Sequence, residues 1–345
     1  MAPTLSRIGS VNAAVGTYAQ DNALFLEIYG QEVITSFERS CIFMGMFQER
    51  TITEGKSARF PVIGRLTASY YTPGSEVTGQ GTPAQNEVII YIDQKLISAV
   101  VLDEVEELKV HWDQRQIYSM EMGQAMAREH DKRLARMLCL GARISTSDLT
   151  ANLPSGLSPD DPFRTGTRID LANDTPTPDD YVAALFAAKQ ALNEKDIPAE
   201  GRTAVLTPEV HSQLAQSTRA LNVDFNNGSA PGTYREGNVA QLASFSLYES
   251  NHIAQGNVTA PAGEEGYSIN GSLVKLSSVN MTDTRALCFR RDALGILNLR
   301  GLTTQMTGND YATQFQAVLL LAKFVKGYGV LRPESCVEIY NSGTP

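Results

Sequence analysis

Histidine and cysteine are scarce in this sequence, with four of each in 345 residues. The cysteines lie far apart and form no CxxC pair: Cys41, Cys139, Cys288 and Cys336. This spacing argues against zinc and disulfide frameworks and predicts buried thiols. The histidines form neither HxH nor HExxH, so they do not indicate a metal site.

Positive charge is also in short supply. The chain has 29 Lys and Arg against 38 Asp and Glu, for a net charge of −9 and a pI of about 5.1. Direct nucleic-acid binding normally needs a basic face, so the acidic charge balance disfavours a nucleic-acid-binding protein. It does not exclude a protein that surrounds nucleic acid without binding it tightly. No apolar run reaches a membrane-spanning length, and Met1–Gln20 lacks the apolar block of a secretory signal. We expect no membrane partner and a reducing compartment.

Motifs for catalysis are missing as well. No GxSxG elbow occurs, so a hydrolase triad lacks its most recognisable part. Gly55-Lys56-Ser57 ends like a phosphate-binding loop, but Arg50 stands where the first Gly of that pattern belongs. The acidic cluster Asp103–Glu107 reads as a solvated or inter-subunit charged face. The sequence therefore offers no catalytic constellation, and we expect no catalytic residue, cofactor or metal site.

What the sequence does contain is a long helix at Trp112–Gly141, uninterrupted by proline. Asp113 is placed to cap its start, Gly141 to end it in a left-handed conformation, and Lys132, Arg133 and Arg136 to complement its dipole. At 1.5 Å per residue it would run roughly 40 Å, as the backbone of an extended subunit or as a core helix of an enzyme. The residues predicted to pack this spine helix against the body are Gly123, Ala127, Leu134 and Leu138.

Before the helix, two β-rich runs flank a stretch of turn residues. Arg59–Tyr71 and Val88–Leu102 would pair as a hairpin of about 13 residues a side, with Pro61 in an edge strand. A hairpin that long cannot be covered by its own subunit, so a neighbouring copy is the expected cover. The residues predicted to make that inter-subunit contact are Tyr70, Tyr71, Pro73, Gly74, Arg59 and Arg65.

The remaining sequence predicts a mixed α+β domain. Leu24–Phe37 reads as a helix interrupted near Gly30, and Ile144–Pro178 as a linker at a domain boundary. Thr177-Pro178-Asp179-Asp180 is a helix start, and a second helix follows from Pro208 to about Ala220. Short strands follow, and Gln314–Tyr328 is favoured as a strand over a buried helix.

Several stretches, in this order along the chain, resemble one known family: Ala23-Leu24-Phe25-Leu26 with Gly30, Gly55–Arg65, Tyr70–Gly74, Asp292–Gly295 and Gly329–Glu334. They resemble the major capsid protein of tailed phages, in particular the short-tailed (podovirus) branch that infects enterobacteria and marine cyanobacteria. The resemblance implies the α+β Hong Kong 97-like capsid fold. Its parts would be an N-terminal arm (1–50), an extended loop (51–103), a peripheral domain (104–175 and 301–326, spine helix 113–141) and an axial domain (176–300 and 327–345).

The same resemblance implies the partners. The subunit would self-associate as hexamers and pentamers into an icosahedral shell in the virion, assembled in the bacterial cytoplasm. It would work with a scaffolding protein and a portal protein, carry decoration proteins as candidate further partners, and enclose double-stranded DNA without sequence-specific binding. Two alternatives stay open from the residues alone: the shell of a non-viral compartment on the same fold, and an α+β enzyme with an unrecognised site.

Overall fold

A computed structural model describes the following parts of the chain, to which all structural statements refer: residues 23–63, 70–74, 76, 85–103, 114–145, 165–173, 175–217, 232–233, 238–239, 241–253, 256–258, 263–269, 272–274, 279–307 and 316–342. The helices are α1 (Ala23–Ser40), α2 (Gln114–Arg143), α3 (Pro178–Glu194) and α4 (Pro208–Leu214). A short 3-10 helix covers Pro333–Ser335.

The longer strands are β1 (Gln48–Thr51), β2 (Ser57–Ile63), β3 (Gln85–Tyr91), β4 (Leu96–Asp103), β5 (Thr167–Asp170), β6 (Arg202–Leu206), β10 (Phe245–Glu249), β15 (Thr284–Arg290), β16 (Leu294–Met306), β17 (Ala317–Val330) and β18 (Cys336–Tyr340). Between them lie short strands: β7 (Gly232–Thr233), β8 (Asn238–Val239), β9 (Gln241–Leu242), β11 (Asn257–Val258), β12 (Tyr267–Ile269), β13 (Ser272–Val274) and β14 (Val279–Asn280).

The chain divides into two compact units. The first comprises Met1–Met44, Gln94–Asp131 and Arg300–Lys326, and the second comprises Gly45–Asp93, Lys132–Leu299 and Gly327–Pro345. The helix α2 and the strands β16 and β17 contribute residues to each unit.

The first unit packs α1 and the first part of α2 against a sheet. Strand β4 pairs antiparallel with β17, from Asp103 opposite Ala317 to Leu96 opposite Phe324. The core between helices and sheet is apolar: Val33, Phe37, Cys41, Leu102, Met122, Met126, Ala127, Leu320, Ala322 and Phe324. His130 belongs to this core, with its ring centroid 5.9 Å from that of Phe37 and 6.1 Å from that of Phe324.

The second unit contains a six-stranded sheet in the order β5-β18-β15-β6-β10-β9. Helices α3 and α4 contribute apolar side chains such as Leu185 and Leu214 to its core, together with Leu206 and Phe245 of the sheet. The start of α3 follows the sequence prediction: Pro178 is its first residue, and the Thr177 N–H donates to Asp180 Oδ2 at 2.8 Å.

A second sheet in this unit has the order β13-β12-β3-β2, and its edge strand β2 contains Pro61 as predicted. The predicted long hairpin is wrong in its second half. Strand β2 pairs only with β3, from Ser57 opposite Tyr91 to Ile63 opposite Gln85. Residues 92–95 interrupt the second run, whose remainder is β4 of the first unit. The second edge of β3, opposite β2, pairs with β12 of the same chain, so β3 does not need a neighbouring copy as its partner.

Two predictions about glycines are wrong for a shared reason. Gly30 does not interrupt α1, and Gly141 does not end α2, which continues to Arg143. A Cβ at Gly30 would lie 2.8 Å from Thr304 Oγ1, and one at Gly141 would lie 2.8 Å from Cys336 Sγ. Both glycines therefore sit inside a helix where a neighbouring segment needs the space, rather than at a turn.

Other predicted boundaries shift. Helix α4 ends at Leu214 rather than near Ala220, and the predicted linker contains strand β5. The predicted strand at Gln314–Tyr328 is confirmed with shifted ends, because β17 covers Ala317–Val330. Met1–Gln20, Arg65, Glu104–Glu107 and the proposed cap Asp113 lie outside the described residues.

Candidate assembly surfaces

The hairpin β2–β3 has one buried and one exposed face. Ala58 and Phe60 on β2, with Val88 and Ile90 on β3, are each at most 8% exposed. Arg59 points to the other face and forms an ion pair with Glu87, with Nη1 and Oε1 3.1 Å apart. These side chains are 72% and 41% exposed, so the pair stabilises the subunit little and remains available to a neighbour.

The segment 70–74 between β2 and β3, which we call the hairpin tip, presents aromatic rings to solvent. Tyr70 has an exposed fraction of 103% and Tyr71 of 59%. Pro73 is exposed, and the Gly74 N–H donates to the Tyr71 Oη at 3.3 Å, with Gly74 at φ +91°. A fully exposed tyrosine offers roughly 150 to 250 Å² of surface that a partner could bury.

The base of the hairpin packs closely against β17. A Cβ at Gly327 would lie 2.1 Å from the Tyr91 carbonyl oxygen, and one at Gly329 would lie 2.8 Å from Ile90 Cγ1. Because Gly327 and Gly329 have no side chain, the end of β3 can cross β17 more closely than any other residue type at these two positions would allow.

A buried group of charges lies beside this crossing; we call it the hairpin-base cluster. It consists of Asp93 after β3, Arg133 and Arg136 on α2, and Glu264 before β12. Their side chains are 3%, 11%, 2% and 1% exposed, respectively. Arg136 pairs closely with Glu264, and Arg133 lies 3.6 Å from Glu264 Oε1 and 3.8 Å from Asp93 Oδ2.

The electrostatics of Asp93 are unusual. Burial raises the pKa of Asp93 to about 7, against the opposing effects of the Glu265 N–H and of Arg133. That N–H donates to Asp93 Oδ1 at 3.0 Å. The prediction that Arg133 and Arg136 complement the helix dipole is wrong, because their guanidinium groups pair with buried carboxylates.

The four residues predicted to pack the spine helix are all buried. Ala127 and Leu134 are 0% exposed and Leu138 is 1% exposed. At Gly123 a Cβ would lie 2.6 Å from the Val33 carbonyl oxygen, so α1 passes directly over this position.

A second buried charge group, centred on Glu338, was not foreseen. Its side chain is 0% exposed and pairs with Arg143 at 2.6 Å and with Arg168 at 2.9 Å. The Thr284 hydroxyl donates to Glu338 Oε1 at 2.7 Å. Burial raises the pKa of Glu338, but hydrogen bonds from Arg143 and Thr284 outweigh it and hold the pKa below its ordinary value. The only sequence signal was an acidic residue within a β-rich run.

A further exposed apolar surface lies on β4. Along this strand exposed and half-buried residues alternate, and the exposed set includes Ile97 at 51% and Val101 at 54%. Leu319 and Leu321 of β17 lie opposite Val101 and Ala99. Strand β4 is at the edge of its sheet, and exposed large aliphatic side chains on an edge strand are typical of an interaction surface.

The described residues hold no cluster of three or more His, Cys, Asp or Glu arranged to bind a metal ion. All four cysteines are buried and free, as their sequence settings predicted. Among the described helices, none is long and apolar enough to cross a membrane.

The amino-acid sequence is similar to those of known phage major capsid proteins. A family model described as Gp10A-like major capsid protein matches residues 59–340. The chain is 29% identical to the major capsid protein of Enterobacteria phage T3, over 95% of this chain and 94% of that protein. It is 28% identical to the major capsid protein of Escherichia phage T7, over 91% of this chain and 90% of that protein.

Solved structures give the fold. The capsid structure of the Cyanophage P-SCSP1u is similar with a TM-score of 0.74 and 32% identity, and 100% of each chain is covered. A virus-like particle from Pyrococcus furiosus is similar with a TM-score of 0.51 and 11% identity, over 91% of this chain and 99% of that one, which shows the fold alone. The chain therefore belongs to the Gp10A-like family of phage major capsid proteins: it has the Hong Kong 97-like capsid fold and is a structural component of the virion shell, not an enzyme.

Proposed function

We propose that this protein assembles as hexamers and pentamers into a closed icosahedral shell around double-stranded phage DNA, and that the hairpin β2–β3 is the element by which one copy holds the next. A scaffolding protein and a portal protein would take part in assembly. The observation that carries the role of the hairpin is the full exposure of Tyr70 in the subunit.

The proposal assigns each part of the chain a task. Residues 1–50 would form the N-terminal arm. Of residues 51–103, the hairpin part up to Tyr91 would form the extended loop, whereas β4 at the end of this range pairs with β17. The peripheral domain comprises 104–175 and 301–326, and the axial domain comprises 176–300 and 327–345. Gly123, Ala127, Leu134 and Leu138 keep the spine helix in place, while the extended loop makes contacts outside the subunit.

The chemistry of the hairpin suits a repeated contact between copies. Aromatic rings that become buried at the centre of an interface often contribute about 2 kcal/mol or more each. Arg59 and Glu87 are exposed enough to exchange their mutual ion pair for pairs with a neighbour, which would set orientation rather than affinity. Ile97 and Val101 of β4 supply a second surface for contact between copies.

The charge of the chain fits a container for DNA. With a net charge of −9, the subunit would repel the DNA backbone rather than hold it, so the genome could leave the shell again.

The test is to replace residues 70–84, which include the exposed rings of Tyr70 and Tyr71, with a short Gly/Ser turn. Both paired strands stay in place, because β2 ends at Ile63 and β3 begins at Gln85. We expect a folded subunit, with unchanged circular dichroism and melting temperature, that forms no shells by light scattering and electron microscopy. Intact shells would refute the proposed role of the hairpin.

A point variant separates ring burial from loop length. Tyr70→Ser removes the exposed ring and should lower shell yield at a given protein concentration. Tyr70→Phe keeps the ring and serves as the matched control, with near-normal assembly expected. Equal yields from the two variants would show that Tyr70 is not the anchor.

A further inference from the structure

The hairpin-base cluster joins three segments of the second unit. Asp93 follows β3 directly, Glu264 precedes β12, and Arg133 and Arg136 lie on α2. The sheet that carries the hairpin therefore meets α2 through charged side chains rather than through apolar packing at this point. Any change in the charge of the cluster acts on the base of the hairpin.

The ionic contacts within the cluster differ in quality. Arg136 is in close contact with Glu264, but both contacts of Arg133 are longer than a hydrogen bond, at 3.6 and 3.8 Å. Asp93 thus accepts one good hydrogen bond, from the Glu265 N–H at 3.0 Å. Its nearest guanidinium group, that of Arg133, is 3.8 Å away. A buried carboxylate with so few donors is poorly compensated for its lost hydration.

We propose that the hairpin-base cluster is a proton-linked latch: Asp93 takes up a proton from solvent when the base of the hairpin closes onto α2, and returns it when the base opens. The groups that face Asp93 are Arg133 and Arg136 from α2, Glu264 from the segment before β12, and the Glu265 N–H. The latch acts as a positioning device for the hairpin and rests on the proposed role of the hairpin in assembly.

The direction of the pH effect follows from proton linkage. In an open base Asp93 is solvated and titrates near its ordinary pKa of about 4. In the closed base its pKa is about 7, because burial penalises the charged form. The closed base binds the proton more tightly, so low pH favours closing. The equilibrium constant for opening should rise about tenfold per pH unit between about pH 4 and pH 7, and level off above about pH 7.

The experiment is hydrogen–deuterium exchange of the full-length protein, followed by mass spectrometry and corrected for the intrinsic pH dependence of amide exchange. Peptides covering β3 and residues 264–269 report on the latch. In the wild type we expect their protection to fall as the pH rises from about 5.5 to about 7 and then to stay constant.

Asp93→Asn is the decisive variant, because it fixes the neutral form without changing size. It should lose the pH dependence, and at about pH 8 it should exchange more slowly than the wild type, since no buried charge remains. Glu87→Gln is the matched control: it neutralises a carboxylate of the same hairpin that is 41% exposed, and it should keep the wild-type pH profile.

A purely structural ion pair would give the opposite result, with Asp93→Asn exchanging faster at about pH 8. That outcome, or a wild-type profile without pH dependence between about pH 5.5 and 7, would overturn the latch. If Asp93→Asn does not fold, the wild-type profile alone decides. Shell formation tests the role of the hairpin separately, so the two proposals can fail independently.

Discussion

Gly327→Ala should be among the most damaging small substitutions in this protein. The new Cβ would lie 2.1 Å from the Tyr91 carbonyl oxygen and 3.1 Å from Ile92 Cα. A carbon and an oxygen that are not bonded approach to roughly 3.3 Å, so the backbone at the base of the hairpin must move by about 1 Å. Backbone shifts forced by overpacking typically cost 1 to 3 kcal/mol, and we expect about 3 kcal/mol because the obstacle is main chain.

The measurement is the melting temperature of the full-length protein by calorimetry or circular dichroism. A loss of about 3 kcal/mol should lower it by roughly 6 to 12 °C, given about 2 to 4 °C per kcal/mol for large domains. The matched control is Gly301→Ala in β16, where a new Cβ would meet nothing within 4 Å. This control should be neutral or slightly stabilising.

A Gly327→Ala variant as stable as the wild type would refute this account of the crossing between β3 and β17. A variant that is destabilised but still assembles normally would show that the base of the hairpin tolerates displacement. Loss of stability together with loss of assembly is the expected result, because the displaced Tyr91 ends the strand that carries the hairpin tip.

Sequence patterns predicted those elements that local chemistry determines. Helix α3 begins where Thr177, Pro178 and Asp180 indicate, because a capping box and a proline at the first position specify a helix start without help from the rest of the fold. The long helix α2 was also predictable from an uninterrupted run of helix-forming residues.

The predictions that failed depend on contacts between distant segments. Val88–Leu102 reads as one β-rich run, but its two halves pair with different strands, and nothing local shows that residues 92–95 change direction. Gly141 carries the signature of a helix end, whereas its real neighbour is Cys336. A glycine that makes room for another segment cannot be distinguished in sequence from one that forms a turn.

The buried charges were the least predictable feature. Arg133 and Arg136 near the end of a helix suggest complementation of its dipole. Their partners Asp93 and Glu264 are 40 or more residues away in sequence, so only the fold brings the charges together. The exposed tip residue Tyr70, in contrast, could be proposed from sequence, because an aromatic residue beside turn residues has no local reason to be there.

The remaining predictions concern buried side chains. Leu134→Asp should abolish soluble folding, since Leu134 is 0% exposed and a buried unpaired charge costs several kcal/mol; a soluble variant with cooperative unfolding would contradict this. Asp131→Ala should lower the free energy of unfolding by about 3 kcal/mol in a urea titration, because the Ile42 N–H at 2.9 Å and the Cys41 thiol at 3.0 Å lose their acceptor. Glu338→Gln should cost about 3 to 5 kcal/mol near pH 7, because it leaves two arginines without their buried carboxylate. Since hydrogen bonds hold the pKa of Glu338 below its ordinary value, its contribution is complete above the unfolded pKa of about 4.3 and is lost as the pH falls through the lower folded value. The difference in melting temperature between wild type and Glu338→Gln should therefore shrink in acid; a difference that stays constant from neutral pH down to about pH 3 would show that Glu338 does not act through its charge.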